Sequence, residues 1–224
     1  MTTREVNTLT GHAPPRLRMT YEQYLEWADE DTHAEWVDGE VIFQMPATEL
    51  HQSMLGFIHA LLLLYVSRLK LGRVFTAPFP MRLEEQASQR EPDLLVVTND
   101  NLSRVRRQYL YGRADLVVEI ISDESVRRDR HEKFREYEDA GIPEYWVLDA
   151  RPGRRRADFF RLDQQGKYEL YATEDDERVG SVILPGFWLR PVWLWEDSQI
   201  DVLQAYIEIR GLSDEQSGQI DGLL

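Results

Sequence analysis

Two carboxylates stand where apolar side chains are expected. In DLVVEII, residues 115–121, Glu119 interrupts a run that otherwise reads as a buried strand, and in EPDLLVV, residues 91–97, Asp93 opens another. Strand side chains alternate faces, so Asp115, Val117, Glu119 and Ile121 share one face, as do Glu91, Asp93, Leu95 and Val97. An isolated ionised carboxylate in an apolar layer is costly. Each acid must therefore lie at a strand end, be paired, or bind a cation, and two acids converging on one cation would relieve both. Beyond Glu119, Asp129, Lys133 and Tyr137 recur at i, i+4 and i+8, one stripe of a following helix;. A helix packed back over the strand would aim Lys133 at the carboxylates. Only three of the 26 cationic residues are lysines, so one in a special place carries information.

The elements that must position these groups follow from local signals. Thr20 and Gln23 form a capping-box pattern, with Met19 and Tyr24 as a hydrophobic staple, predicting a helix from there to about Ala28;. In AEWVDGEVIFQM, Asp38-Gly39 suits a type I′ turn between two β-type runs, which predicts a hairpin. A helix is expected from about Glu49 to Lys70, ended by Gly72. Strands are expected over Arg73–Leu83, Asp93–Thr98 and Asp115–Ile121. A helix over Arg128–Ala140, closed by Gly141, and a strand at Glu144–Leu148 follow, and DFFRL, KYELYA, SVILP and LQAYIEI extend the sheet. Strands alternating with helices indicate an α/β fold whose sheet is mixed because of the hairpins. The 224 residues read as a flexible arm over 1–18, one domain over 19–210 and an acidic tail over 211–224;.

Composition narrows the chemistry. The chain has no Cys, which excludes disulfides, thiolate metal sites and a cysteine nucleophile;. A net charge of -14 argues against non-specific affinity for nucleic acid;. That charge is uneven: residues 104–156 hold 13 Lys+Arg against 11 Asp+Glu, so this segment is where an anionic substrate is tolerated. The N-terminus lacks a secretory h-region, and the apolar stretch around Leu55–Val66, interrupted by His59, reads as too short to span a bilayer. A soluble, cytoplasmic protein is expected.

The ordered set Pro92-Asp93, then Glu119-Ile120-Ile121-Ser122, then Asp129, Lys133, Tyr137 and GIPEYWVLD at 141–149 resembles the Uma-two family of restriction-endonuclease-like proteins, within the PD-(D/E)xK nuclease superfamily. AEWVDGEV, His51 and the closing ILPGF belong to the same resemblance, which covers roughly Thr20–Trp195. It implies a restriction-endonuclease-like mixed β-sheet flanked by helices, with an N-terminal helix and hairpin, and a metal-dependent phosphodiesterase site hydrolysing nucleic acid, with DNA as the expected substrate. Asp93 matches the acid of the PD motif and Glu119 that of (D/E)xK, and the Ile120 carbonyl would complete a site for Mg²⁺ or Mn²⁺. Ile121 stands where the superfamily's lysine is usual, and Lys133 is the candidate to replace it.

Blander roles compete at several positions. Asp129 and Lys133 are also an ordinary i, i+4 surface pair. Glu35 is either a further metal ligand or a polar strand residue, His51 reads as a helix-start side chain bonding locally, and Tyr137 as core packing. The Arg106-Arg107 pair and the Arg154–Arg156 run read as solvated faces or phosphate contacts. Two other functions remain open: a nuclease fold without cleavage serving as a binding or interaction module, and a metal-free glycosidase-like acid pair, in which Lys133 has no place. A homodimer would suit cleavage of two strands, with FWLRPVWLW, residues 187–195, supplying its interface.

Overall fold

The computed structural model describes residues 17–28, 32, 34–43, 46–84, 88–123, 125–195 and 200–213. Apart from residues 17, 18 and 211–213, the expected arm and tail lie outside the described residues. Thr20 Oγ1 accepts from the Gln23 N–H and Gln23 Oε1 from the Thr20 N–H, the reciprocal capping box that starts α1 (Tyr21–Trp27);. Just before it, β1 (Leu17–Arg18) pairs with a hairpin of β2 (Ala34–Val37) and β3 (Glu40–Phe43), whose turn carries positive φ at Asp38 and Gly39;. Thr48 Oγ1 accepts from the His51 N–H at the start of α2 (Glu49–Leu69);.

The end of α2 differs from expectation. Lys70, not Gly72, takes the left-handed cap at φ 54°. Gly72 instead opens β4 (Gly72–Thr76), where a Cβ would lie 2.1 Å from the Val97 carbonyl oxygen. Its glycine reflects close backbone approach rather than helix termination. The single strand expected over Arg73–Leu83 is divided as well. Residues 77–80, with Pro78 and Pro80, separate β4 from β5 (Met81–Glu84), because proline cannot donate to a ladder;.

The remaining elements are β6 (Ser88–Arg90), β7 (Leu94–Thr98), β8 (Leu110–Tyr111), β9 (Leu116–Ile121), α3 (Lys133–Asp139), β10 (Glu144–Asp149), β11 (Arg156–Leu162), β12 (Tyr168–Thr173), β13 (Val179–Gly180), β14 (Trp188–Leu189) and α4 (Val202–Arg210). They build a mixed α/β fold with two six-stranded sheets, ordered β1-β3-β2-β6-β5-β8 and β12-β11-β10-β9-β7-β4, and the small pair β13-β14. Two expected strands are not strands. LQAYIEI is the helix α4, capped by Asp201 and ended by Gly211, with Ala205, Tyr206 and Ile209 buried at helical spacing;. SVILP follows β13 as a turn.

The central sheet is covered on both faces. Leu94, Val96, Leu116, Val118, Trp146 and Leu148 pack with Leu61, Leu62 and Tyr65 of α2. On the opposite face Leu95, Val97, Val117, Ile121, Tyr145 and Val147 pack with Tyr137 of α3. By length and composition α2, at 21 residues, is sufficient to cross a membrane, contrary to the shorter span expected from sequence, and its buried side chains form core here. In the segment expected to supply a dimer interface, Phe187, Leu189, Trp193 and Leu194 are buried, while Val192 is exposed and Trp188 half-buried.

Backbone approach at Gly72 generates a contrast. Gly72→Ala should lower stability by about 2–3 kcal/mol through overpacking, whereas Gly56→Ala, a helical position with nothing within 4 Å of the added Cβ, should raise it by roughly 0.5–1 kcal/mol;. Urea unfolding of both variants tests this, and equal effects would contradict the account of Gly72.

Candidate active site

The site forms where the chain passes between sheets. β6 ends at Arg90, Glu91-Pro92-Asp93 makes the crossing, and β7 begins at Leu94. β7 pairs with β9 only as far as Leu94↔Val118, while β9 continues against β10 to Ile121↔Asp149. That leaves one edge of β9 unpaired by strand at Glu119–Ile121. Asp93 occupies it: its Oδ2 accepts from the Ile120 N–H at 2.6 Å. An extended residue directs its N–H and C=O to the same edge, so the Ile120 carbonyl faces this gap too.

Glu119 points to the face covered by α3. The helix enters through a π-helical turn, Arg128–Glu132, a correction to the uniform helix expected there. From it, Lys133 and Tyr137 reach back to one oxygen: Lys133 Nζ and Tyr137 Oη each donate to Glu119 Oε1 at 2.8 Å. Lys133 Nζ also lies 3.4 Å from Glu35 Oε1 and 3.4 Å from Asp129 Oδ1. Lys133 is 3% exposed and Asp129 1%, so the surface-pair reading of these two residues does not hold.

Glu35 sits on β2 and is a fully buried ion-pair partner. Its Oε2 accepts from Arg90 Nη1 at 3.1 Å and its Oε1 from the Glu91 N–H at 3.0 Å. Arg90 in turn holds Glu136 of α3, tying the hairpin sheet to the helix. The His51 side chain does not bond locally as expected. Its Nε2 lies 3.3 Å from Asp93 Oδ1, on the same side as the Ile120 carbonyl, and Nδ1 is buried without a hydrogen-bond partner. Asp93, Glu119, Ile120, Lys133, Asp129 and His51 thus line one cleft of 670 Å³, together with Phe43, Leu55, Glu91 and Arg128. Tyr137 is in the core, stacked edge-on against Tyr145, yet its hydroxyl serves the site. Arg106 donates to the Ser103 carbonyl, and Arg154–Arg156 are exposed, with Arg156 paired to Asp158.

The electrostatics are those of acids short of positive charge. Burial opposes ionisation of Glu35, but Lys133 and Arg90 outweigh it and hold Glu35 down at about 2. Burial also disfavours the Lys133 ammonium, yet Glu119, Glu35 and Asp129 hold its pKa well above an ordinary lysine. For Glu119 the balance goes the other way. Burial, with Asp129 and Asp93 nearby, pushes it up despite Lys133, and Asp129 is likewise raised by burial against the pull of Lys133. One ammonium stabilises one carboxylate fully; it cannot do so for three. Burial of His51 is overcome by Asp93, and its pKa rises.

Glu91 is a site residue that sequence reasoning placed only by strand parity. Burial and Glu35 push it up to about 7, and its Oε1 is buried without a hydrogen-bond partner. Its position two residues before Asp93, on the same face, was the available signal. Glu144 shows what a satisfied buried acid looks like: it accepts from Trp146, Tyr171, Ser181, Val182 and Ile183, and it lines no part of the cleft.

Among the described residues no three His, Asp or Glu side chains gather as a ready metal-binding group. Asp93, Glu119 and the Ile120 carbonyl supply hard oxygen donors; Glu91 Oε1 is buried without a hydrogen-bond partner, and so is Asp129 Oδ1, whose near neighbour is the Lys133 ammonium at 3.4 Å. This donor set fits a cation such as Mg²⁺, which keeps several waters and needs few protein ligands.

The two displaced acids predict opposite pH behaviour. Glu35 is lowered on folding, so its stabilisation is present above about 4.5 and lost as pH falls toward about 2;. Glu35→Gln should be roughly 3 kcal/mol less stable at pH 7, with the deficit shrinking toward pH 2. Glu91 is raised, so stability is present below about 4.5 and lost as pH rises through about 7;. Glu91→Gln should gain up to about 3 kcal/mol at pH 8 and nothing below pH 4.5. Urea unfolding across this range decides both, and a loss for Glu91→Gln at pH 8 would contradict the account.

Comparison with known proteins bears on the fold and the family. The solved structure of a "putative nuclease belonging to DUF820" from Anabaena variabilis matches with a TM-score of 0.64 at 15% identity, covering 79% of this chain and 97% of the other, a likeness of fold. None of the curated proteins matches the chain. The family model for Uma2, described as "Putative restriction endonuclease", matches residues 21–192, which include the cleft's acids, Lys133 and the hairpin carrying Glu35. The chain belongs to the Uma2 family.

Proposed function

We infer that this protein is a divalent-metal-dependent endonuclease hydrolysing nucleic-acid phosphodiester bonds, with DNA as the expected substrate. The observation that carries the reading is Lys133 Nζ, held 2.8 Å from Glu119 beside the edge of β9 that Asp93 occupies. Fourteen residues after Glu119, the ammonium supplies the positive charge that Ile121 cannot. Asp93, Glu119 and the Ile120 carbonyl would hold Mg²⁺ or Mn²⁺. Such a cation, when bound, lowers the pKa of water and stabilises charge on phosphate oxygens.

The chain's own residues do the rest. Asp93 is positioned by the Ile120 N–H and His51, and Glu119 by Lys133 and Tyr137. Glu35 and Asp129 fix the ammonium from two further sides. Lys133 is thereby preorganised as a fixed positive charge whose field stabilises negative charge developing on the phosphate without a direct hydrogen bond to it;. The buried setting strengthens that interaction relative to water.

Purified protein incubated with single- and double-stranded DNA and RNA should cleave at least one of them in Mg²⁺ or Mn²⁺ and stop on chelation. Glu119→Ala and Asp93→Asn should abolish cleavage, and Lys133→Met should reduce it about a hundredfold or more. Absence of metal-dependent cleavage of every substrate, or cleavage undiminished by Glu119→Ala, would overturn the assignment. The charge of -14 favours one second reading, a nuclease fold acting as a binding module. Calorimetry separates the two, because the enzyme must take up Mg²⁺ at Asp93 and Glu119 and a binding module need not.

A further inference from the structure

Arg128 is the cleft's unassigned cation. It begins the π-helical turn that delivers Asp129 and Lys133, and it lines the same cleft as Asp93, Glu119 and Ile120. The other arginines around the site are committed: Arg90 to Glu35 and Glu136, Arg130 to Asp158, Arg151 to Asp149. Among the described residues Arg128 makes no ion pair, although Glu35 and Asp129 feel its charge, and its Nε is buried without a hydrogen-bond partner. A desolvated N–H left unmet in a protein with 14 excess negative charges needs an acceptor from elsewhere;.

We propose that Arg128 binds a non-bridging phosphate oxygen of the nucleic-acid substrate through its guanidinium fork, beside the bond to be cleaved. The inference rests on the nuclease reading and names the residue that seats the phosphodiester. A guanidinium matches phosphate geometry through parallel N–H donors, which an ammonium does not. Lys133 cannot take this part, because three carboxylates already surround its Nζ. The phosphate must also be drawn in past Glu91, Asp93, Glu119 and Asp129, and among the described residues Arg128 is the arginine on the cleft wall, with no carboxylate in ion-pair contact. Its backbone shares the π turn with Asp129, which places it on the α3 side of the cleft.

The test uses the full chain carrying Glu119→Gln, so that no turnover occurs, with and without Arg128→Gln or Arg128→Lys. Binding of fluorescein-labelled DNA and RNA oligonucleotides is followed by anisotropy in Mg²⁺ at several salt concentrations, and binding of inorganic phosphate by calorimetry. Arg128→Gln should weaken oligonucleotide binding at least tenfold and lower the salt slope by about one, while Arg128→Lys restores only part of the affinity. Unchanged urea midpoints establish that the variants fold, and a variant that does not fold is replaced by Arg128→Lys, for which the loss of the fork is the readout. Equal binding by Arg128 and its variants overturns the inference while leaving the nuclease reading intact. Phosphate binding that depends on Arg128, in a protein that cleaves no nucleic acid, would support the anion site and remove the nuclease reading. Binding of neither phosphate nor oligonucleotide overturns both.

Discussion

One ammonium, Lys133, is shared by three buried carboxylates, and the rest of the molecule is arranged around that constraint. Removing a charged amine from water is expensive unless opposite charges surround it. Glu119 comes from the central sheet, Glu35 from the hairpin sheet and Asp129 from the turn that begins the helix. The same contact therefore fixes the relation between two sheets and α3. Arg90, bridging Glu35 and Glu136, completes the link with a second buried cation.

The cleft exists because the sheet is incomplete at this point. β7 leaves β9 after Val118, and the chain's crossing from β6 to β7 puts Glu91 and Asp93 beside the freed backbone of Ile120. An apolar finish to β9 would make a better core and no site. Instead the protein keeps oxygens of Glu91 and Asp129 and a nitrogen of Arg128 buried without hydrogen bonds, Asp129 having only its longer ion pair to Lys133. Unmet polar groups beside an open cleft are the expected signature of a site whose partners arrive with its ligands. Glu144, five times hydrogen-bonded and just as buried, shows that the fold can satisfy an acid where none is needed for chemistry.

Much of this was legible in the sequence, for local reasons. The capping box at Thr20, the turn at Asp38-Gly39 and strand parity along residues 115–121 are short-range signals, and each led to the observed element or face, whereas Asp93 lies before β7 and bonds the edge of β9. The stripe Asp129, Lys133, Tyr137 survived a π turn because i, i+4 spacing still aligns Lys133 with Asp129. What failed depended on distant parts of the chain. Gly72 is small because Val97 lies against it, His51 turns away from its own helix end because Asp93 is near, and LQAYIEI folds as a helix under an Asp201 cap. Glu91 was visible as an acid on the right face, but its burial and its missing partner are properties of the assembled cleft.

The central claim is that Asp93 and Glu119 form a cation site beside Lys133. Anomalous diffraction from crystals grown with Mn²⁺ addresses it without reference to any substrate. The account predicts a single strong peak at bonding distance from an Asp93 carboxylate oxygen, a Glu119 carboxylate oxygen and the Ile120 carbonyl, with Lys133 still held at Glu119. Full occupancy of Mn²⁺ elsewhere on the protein, with none between these two acids, would contradict it.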